Sequence, residues 1–293
     1  MTSHEGPDHT GAGAQEPDRA ERLCATAEEF LRAWDLRRDG TARSGEAGML
    51  LPVRAADGER AALKVQAPSP EVDAAVRGLA AWDGRGIVRM LRSEAARGAM
   101  LLERLDADRS LESVGEDEAI RVVGGLLARL HSTPPVAGLP RLEAVVQEML
   151  DAADTARVLP AEDRRRVDRW TGAVAELAHD AGERFLHWDL HFGNVLAGTR
   201  EPWLAIDPEP LVGDAGFDLW PALDSGWSSD PRAVDAAAIV RRRFDLLTDI
   251  LELERPRAAT WTRARLLQNT LWDIEDGKPF IDPAAVVLDD ALT

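Results

Sequence analysis

A chain of 293 residues can bury a full core and is long enough for one large or two modest domains. Its formal net charge of -17 argues against a nucleic-acid or anionic-membrane binder, either of which needs a basic face, and suits a cationic ligand instead. A single cysteine, Cys24, excludes an internal disulfide; no apolar run approaches a membrane span and no secretory signal opens the chain, so a soluble cytoplasmic protein is expected.

Abundant Ala, Leu, Arg and Glu predict a mostly helical chain with one smaller sheet. Residues 1–18 hold almost nothing to bury and read as a disordered tail, His4 and His9 included. Leu23, Ala27, Phe30, Leu31 and Trp34 share one face of a helix over 20–34. The strands 49–54 and 61–65, joined at Asp57-Gly58, form a hairpin, and the glycine-containing turn Ser44 to Gly48 precedes it. That turn can bring backbone N–H groups near a phosphate, although it matches no strict phosphate-loop pattern. Lys64 interrupts an apolar strand, where a charge must face solvent or a partner.

Pro70 opens a helix ending at Trp82, with Val72, Val76 and Leu79 as its buried stripe. Strands are expected over 87–91 and 99–105, and from Asp106 onward the pattern is helical. This sets an N-terminal lobe at 19–105 and a C-terminal lobe at 106–293. Helices over 117–131, 142–157 and 161–181 lead to the stretch His187-Trp-Asp-Leu-His-Phe-Gly-Asn194, which lies between strands; helices over 232–252 and 257–275 close the chain. Trp170, Trp220, Trp227, Trp261 and Trp272 are expected in the core or in a pocket wall.

Polar groups packed between apolar runs must be solvated, paired or used, so the 187–194 stretch and Asp207 on the next strand form the expected active centre. His187 and His191 as metal ligands would need a helix to place both rings on one face, whereas the flanking residues read as strands. The spacing His187-x-Asp189-x4-Asn194 instead matches a kinase catalytic loop, in which the Asp orients the acceptor hydroxyl and the Asn holds magnesium. His191 has no role in that reading.

The motif 187–194, Ala205-Ile-Asp-Pro-Glu-Pro210 and Gly213-Asp-Ala-Gly-Phe-Asp218 resemble the aminoglycoside phosphotransferases, small-molecule kinases with a protein-kinase-like fold. Residues 82–91, 101–105, 126–131 and 268–277 are similar to the streptomycin 6-phosphotransferase and hydroxyurea phosphotransferase branch. The resemblance implies an α+β fold with two lobes, a small antiparallel sheet carrying one helix and a larger, mainly helical lobe. It implies ATP and magnesium as cofactors. Lys64 would contact the ATP phosphates, covered by backbone from Ser44, Gly45 and Gly48, and Glu103, Arg104 and Leu105 would form the adenine hinge. Asp189 would be the catalytic base, Asn194 and Asp207 the magnesium ligands, His187 a loop organiser and Asp218 a brace beneath the loop.

Such kinases pair the strand lysine with a glutamate on the next helix, and here only Glu71 and Asp73 precede Trp82. Either Glu71 reaches Lys64 or the pair is missing. For a cationic acceptor, Asp273, Glu275 and Asp276 near a helix C-terminus are candidate contacts, because negative charge is unfavourable to the dipole there. A streptomycin-type acceptor is expected. Hydroxyurea, another hydroxylated metabolite and a nucleotide-binding pseudokinase are the alternatives, and monomer or homodimer stays open.

Overall fold

The computed structural model describes residues 15–45, 48–226 and 235–292. They divide into two units, one running to Val76 and resuming over Met90–Arg104, the other formed by Arg77–Arg89 and the chain from Leu105 onward. The expected tail lies outside the described residues as far as residue 14, and residues 15–18 belong to the first helix. His4, His9, Glu46, Ala47 and Trp227 also lie outside them.

The first unit begins with α1 (Gln15–Ala33), followed by β1 (Arg37–Arg38), β2 (Arg43–Ser44), β3 (Gly48–Arg54) and β4 (Arg60–Gln66). After α2 (Pro70–Trp82), which runs from one unit into the other, come β5 (Met90–Glu94) and β6 (Ala99–Glu103). The strands form an antiparallel sheet in the order β1-β3-β4-β6-β5, with β2 also on β3. Alternation decides its two faces. Leu51, Val53, Leu63, Val65, Ala99 and Leu101 form a core with Ala27, Phe30, Leu31 and Trp34 of α1. Lys64, in register with Leu50 and Met100, therefore points to the opposite face.

The second unit contains β7 (Asp106–Ser110), α3 (Glu116–His131), α4 (Leu142–Ala152), α5 (Ala161–Leu177), β8 (Arg184–Leu186), β9 (Val195–Ala197), β10 (Trp203–Ala205) and β11 (Leu211–Gly213). It ends with α6 (Trp220–Asp224), α7 (Ala236–Ile250), α8 (Arg255–Glu275) and α9 (Pro283–Ala291). Trp82, Trp170, Phe185, Phe217 and Trp261 are fully buried here. Trp272 is 46% exposed and so is not a core residue. No described helix is long and apolar enough to cross a membrane.

Two strand expectations need correction. The strand expected over 87–91 begins at Met90, because the backbone of 86–88 is taken by β10: Val88 N–H donates to Ala205 O at 2.8 Å and Ala205 N–H to Gly86 O at 3.0 Å. Asp106–Ser110 is extended rather than helical and pairs with β9. Its residues are largely exposed, so it carries no apolar alternation to announce a strand.

Candidate active site

The loop 187–194 leaves one β-ladder and enters another. β8 pairs with β11, and Glu209 N–H donates to His187 O at 3.0 Å to extend that ladder by one step. At the other end Val195 opposes Ala205, and Ile206 N–H donates to Asn194 O at 2.9 Å. Antiparallel register thus carries Asn194 alongside Ile206 and brings Asp207 next to the loop. Asp207 (φ 51°) and Trp188 (φ 66°) both adopt the left-handed region, each at a cost of about 1–3 kcal/mol that the surrounding bonds sustain.

Asp218 holds the loop from beneath. Fully buried, it accepts the backbone N–H of His187 (2.9 Å) and of Trp188 (2.6 Å), and His131 Nε2 donates to it at 2.9 Å. Burial pushes its carboxyl upward, but the His131 hydrogen bond, the nearby His131 and His187 rings and the backbone donor outweigh this and leave the pKa lowered.

Burial also lowers the His187 pKa and keeps the ring neutral. Its Nδ1 accepts from Asp189 N–H (3.3 Å), so Nε2 carries the proton and donates to Ile206 O at 3.0 Å. With both ring nitrogens engaged, His187 organises the loop and is not available as a metal ligand. Trp82 stacks on Phe185 at 4.0 Å and lies 6.4 Å from the His187 ring.

Asp189 is half-buried at the loop's outer face. Asn194 Nδ2 donates both to its backbone O (2.9 Å) and to its Oδ2 (3.1 Å), which fixes the carboxylate's direction. This spends the amide nitrogen of Asn194 and leaves its Oδ1 as the atom to offer a cation. Asn194 Oδ1 with the Asp207 carboxylate is a hard oxygen set, the donor chemistry magnesium accepts alongside phosphate oxygens. No group of three or more His, Cys, Asp or Glu suited to a metal occurs among the described residues.

A cavity of about 290 Å³ opens beside Asp189, lined among others by Glu112, His191, Trp220, Asp224 and Ser225. Its wall is tied to the loop: Phe192 N–H donates to Ser225 Oγ (3.0 Å), which donates to Pro221 O (2.7 Å). Sequence reasoning missed Glu112 and Asp224, and gave His191 no part. An Asp-to-His spacing of 87 residues carries no local signal; only the apolar setting of His131 hints at a partner.

The expected nucleotide residues lie mainly in the first unit. Lys64 is half-buried in β4, and Ser44 opposes Met49 in the β2–β3 turn, where Gly45 N–H donates to Gly48 O at 2.9 Å. Gly48 admits no side chain, since a Cβ would sit 2.4 Å from Val65 O. Glu103 ends β6 opposite Ala61; Arg104 follows, its pKa lowered by burial and by Arg60; Leu105 is the buried first residue of the second unit's main segment. Glu71 is exposed at the start of α2, its carboxyl held below the usual range by the Ser69 hydroxyl and its own N–H. Asp273, Glu275 and Asp276 sit at the C-terminal end of α8, where Asp273 pairs with Lys278 at 2.6 Å, and none of them lines the cavity.

A family description, aminoglycoside/hydroxyurea antibiotic resistance kinase, matches residues 33–277. The chain is 57% identical to a streptomycin 6-kinase of Streptomyces griseus, over 92% of this chain and 89% of that one. It is 45% identical to a hydroxyurea phosphotransferase of Kitasatospora aureofaciens, over 96% of this chain and 82% of that one. Among solved structures, a macrolide 2'-phosphotransferase of Brachybacterium faecium aligns with a TM-score of 0.56 at 19% identity, covering 93% of this chain and 97% of that chain. Likeness at that identity speaks to the fold, which is protein-kinase-like.

Proposed function

The chain belongs to the aminoglycoside/hydroxyurea antibiotic resistance kinase family, and on that premise we propose that it transfers the γ-phosphoryl group of ATP to a hydroxyl of a streptomycin-type aminoglycoside, conferring resistance in the cytoplasm. The observation that carries this reading is Asp189, aimed by Asn194 and opening onto an acid-lined cavity, in a chain 57% identical to a streptomycin 6-kinase.

Asp189 accepts or orients the proton of the acceptor hydroxyl, which aligns the attacking oxygen. Asn194 holds the carboxylate in place through Nδ2, and the Asp218–His187 bonds keep the loop from relaxing. Asn194 Oδ1 and Asp207 would hold magnesium, which neutralises phosphate charge when bound. For the nucleotide, Lys64 contacts the phosphates, backbone of Ser44, Gly45 and Gly48 covers them, and the main chain of Glu103, Arg104 and Leu105 hydrogen-bonds adenine.

A second reading, phosphorylation of hydroxyurea, is favoured by the 45% identity to a hydroxyurea phosphotransferase. Measuring ADP release with magnesium and ATP against streptomycin, hydroxyurea and no acceptor separates the cases. Streptomycin-dependent release supports the proposal, release with hydroxyurea alone transfers it to the second reading, and nucleotide binding with neither release refutes both.

A further inference from the structure

Among the described residues, the cavity beside Asp189 contains one acid without a hydrogen bond or ion pair. Elsewhere in the same unit, buried carboxylates are matched by cations or ring donors: Asp218 by His131, Asp214 by Arg257 at 2.6 Å, and Asp289 by Arg263 at 2.7 Å and by Arg166. Asp224, the last residue of α6, is mostly buried and has no hydrogen bond or ion pair among the described residues.

The nearest guanidinium is committed elsewhere. Arg243 of α7 spends Nη1 on the carbonyls of Ala222 (3.2 Å), Leu223 (3.1 Å) and Ser225 (2.5 Å), and Nε on Glu116 (3.4 Å). It fixes the turn that carries Asp224 without neutralising it.

We propose that Asp224 is a specificity-determining residue of this cavity: its carboxylate receives a cationic nitrogen group of the acceptor, guanidinium or ammonium, while Asp189 receives the hydroxyl. This deepens the function proposed above and rests on it. At about 290 Å³ the cavity lies at the small end of ligand pockets, which fits one substituted ring of an acceptor rather than a whole oligosaccharide. Glu112, also in the lining, reinforces the field. A Cβ on Gly193 would lie 3.5 Å from Glu112 Oε1, which places that carboxylate against the catalytic loop. A cation entering here meets three carboxylates in a partly desolvated site, where opposite charge is worth more than in water.

The protonation state agrees with this assignment. Burial, then the Asp282 carboxylate ahead of α9, pushes the Asp224 carboxyl up to about 6, with Arg243 opposing. The other charged groups facing α6 are Glu112, Asp189 and His191 around the cavity, and Arg265 of α8, which lies 5.4 Å from the Trp220 ring. A bound cation favours the ionised form, so near pH 6 acceptor binding expels a proton from Asp224 and acceptor affinity rises through that pH.

Calorimetric titration of streptomycin into the wild-type enzyme and Asp224→Asn tests this, at pH 6 and pH 8, in buffers of differing ionisation enthalpy. ATP affinity serves as the check that the variant is folded. The expected result is at least about a tenfold loss of streptomycin affinity at pH 8, loss of the proton release seen with wild type at pH 6, and partial rescue by Asp224→Glu. Proton release from any other group persists in Asp224→Asn and is subtracted by the comparison. Wild-type affinity and proton release in Asp224→Asn would overturn the inference while leaving the proposed function standing. A wild-type enzyme that neither binds nor phosphorylates streptomycin would refute the proposed function, and the inference with it.

Discussion

Asp218 touches no expected substrate, yet three donors converge on it, so its loss propagates to Asp189 through two peptide units and the His187 ring. Asp218→Asn keeps the shape and removes the charge. Breaking a buried pair from one side costs about 3–5 kcal/mol, so the variant should lose stability on that order in urea denaturation and lose turnover with it. The pH sign follows from the direction of the shifts. His187 has a lowered folded pKa, so below about 6.5 the unfolded chain binds more protons, and this part of the stability is present above that pH and lost as pH falls. Asp218 acts in the same direction further down, its contribution fading below about pH 3.9. From pH 7 to pH 5 the His187 share of stability should therefore decline, opposed below about pH 6 by the raised Asp224 carboxyl, and His187→Asn should remove the declining share in denaturation measured across that range. That Asp189, Asn194 and Asp207 lie together was legible in the sequence, because the roles proposed for them need fixed spacing along one loop and the residues after the next strand. His131, Glu112 and Asp224 were not, because the fold alone brings them to that loop.

At the scale of elements, close backbone approaches set the second unit's geometry. Gly78 in α2 lies against Pro210, just after the Asp207 strand: an added Cβ would be 2.4 Å from Pro210 Cγ and 3.0 Å from Trp82. Gly→Ala inside a helix normally stabilises by about 0.5–1 kcal/mol, and Gly125→Ala in α3, with nothing within 4 Å of the new Cβ, should do so. Gly78→Ala should instead destabilise by about 1–3 kcal/mol, because a proline ring backed by the core cannot yield. Thermal melts of the two variants should move in opposite directions. Long amphipathic helices such as α3 and α8 and the β3–β4 hairpin announced themselves by period and turn chemistry. The strand β7 and the five-residue α6 did not: β7 has no apolar alternation, and α6 is too short to show a helical period. Of the two, α6 lines the cavity at Asp189 through Trp220, Pro221 and Asp224, while β7 pairs with the strand that follows the loop.

For the whole molecule, a net charge of -17 means that a cationic acceptor is drawn toward the protein before it reaches the site, and salt should weaken that attraction. The kcat/KM for streptomycin should fall as ionic strength rises from about 0.05 to 0.5 M, across which the screening length shrinks by roughly threefold. The same parameter for ATP should not follow that trend, since its charge has the opposite sign. The protein-kinase-like fold was legible as an order of weak signals, a strand lysine, an Asp-x4-Asn loop and a later Asp, none of which suffices alone. The central claim is that Asp189 activates an acceptor hydroxyl toward ATP. Its most direct test is mass-spectrometric detection of phosphorylated streptomycin after incubation with magnesium and ATP, for the wild type and for Asp189→Ala. The account predicts a product 80 Da heavier with the wild type, almost none with the variant, and nucleotide affinity nearly unchanged between them; product formed by Asp189→Ala at the wild-type rate would contradict it.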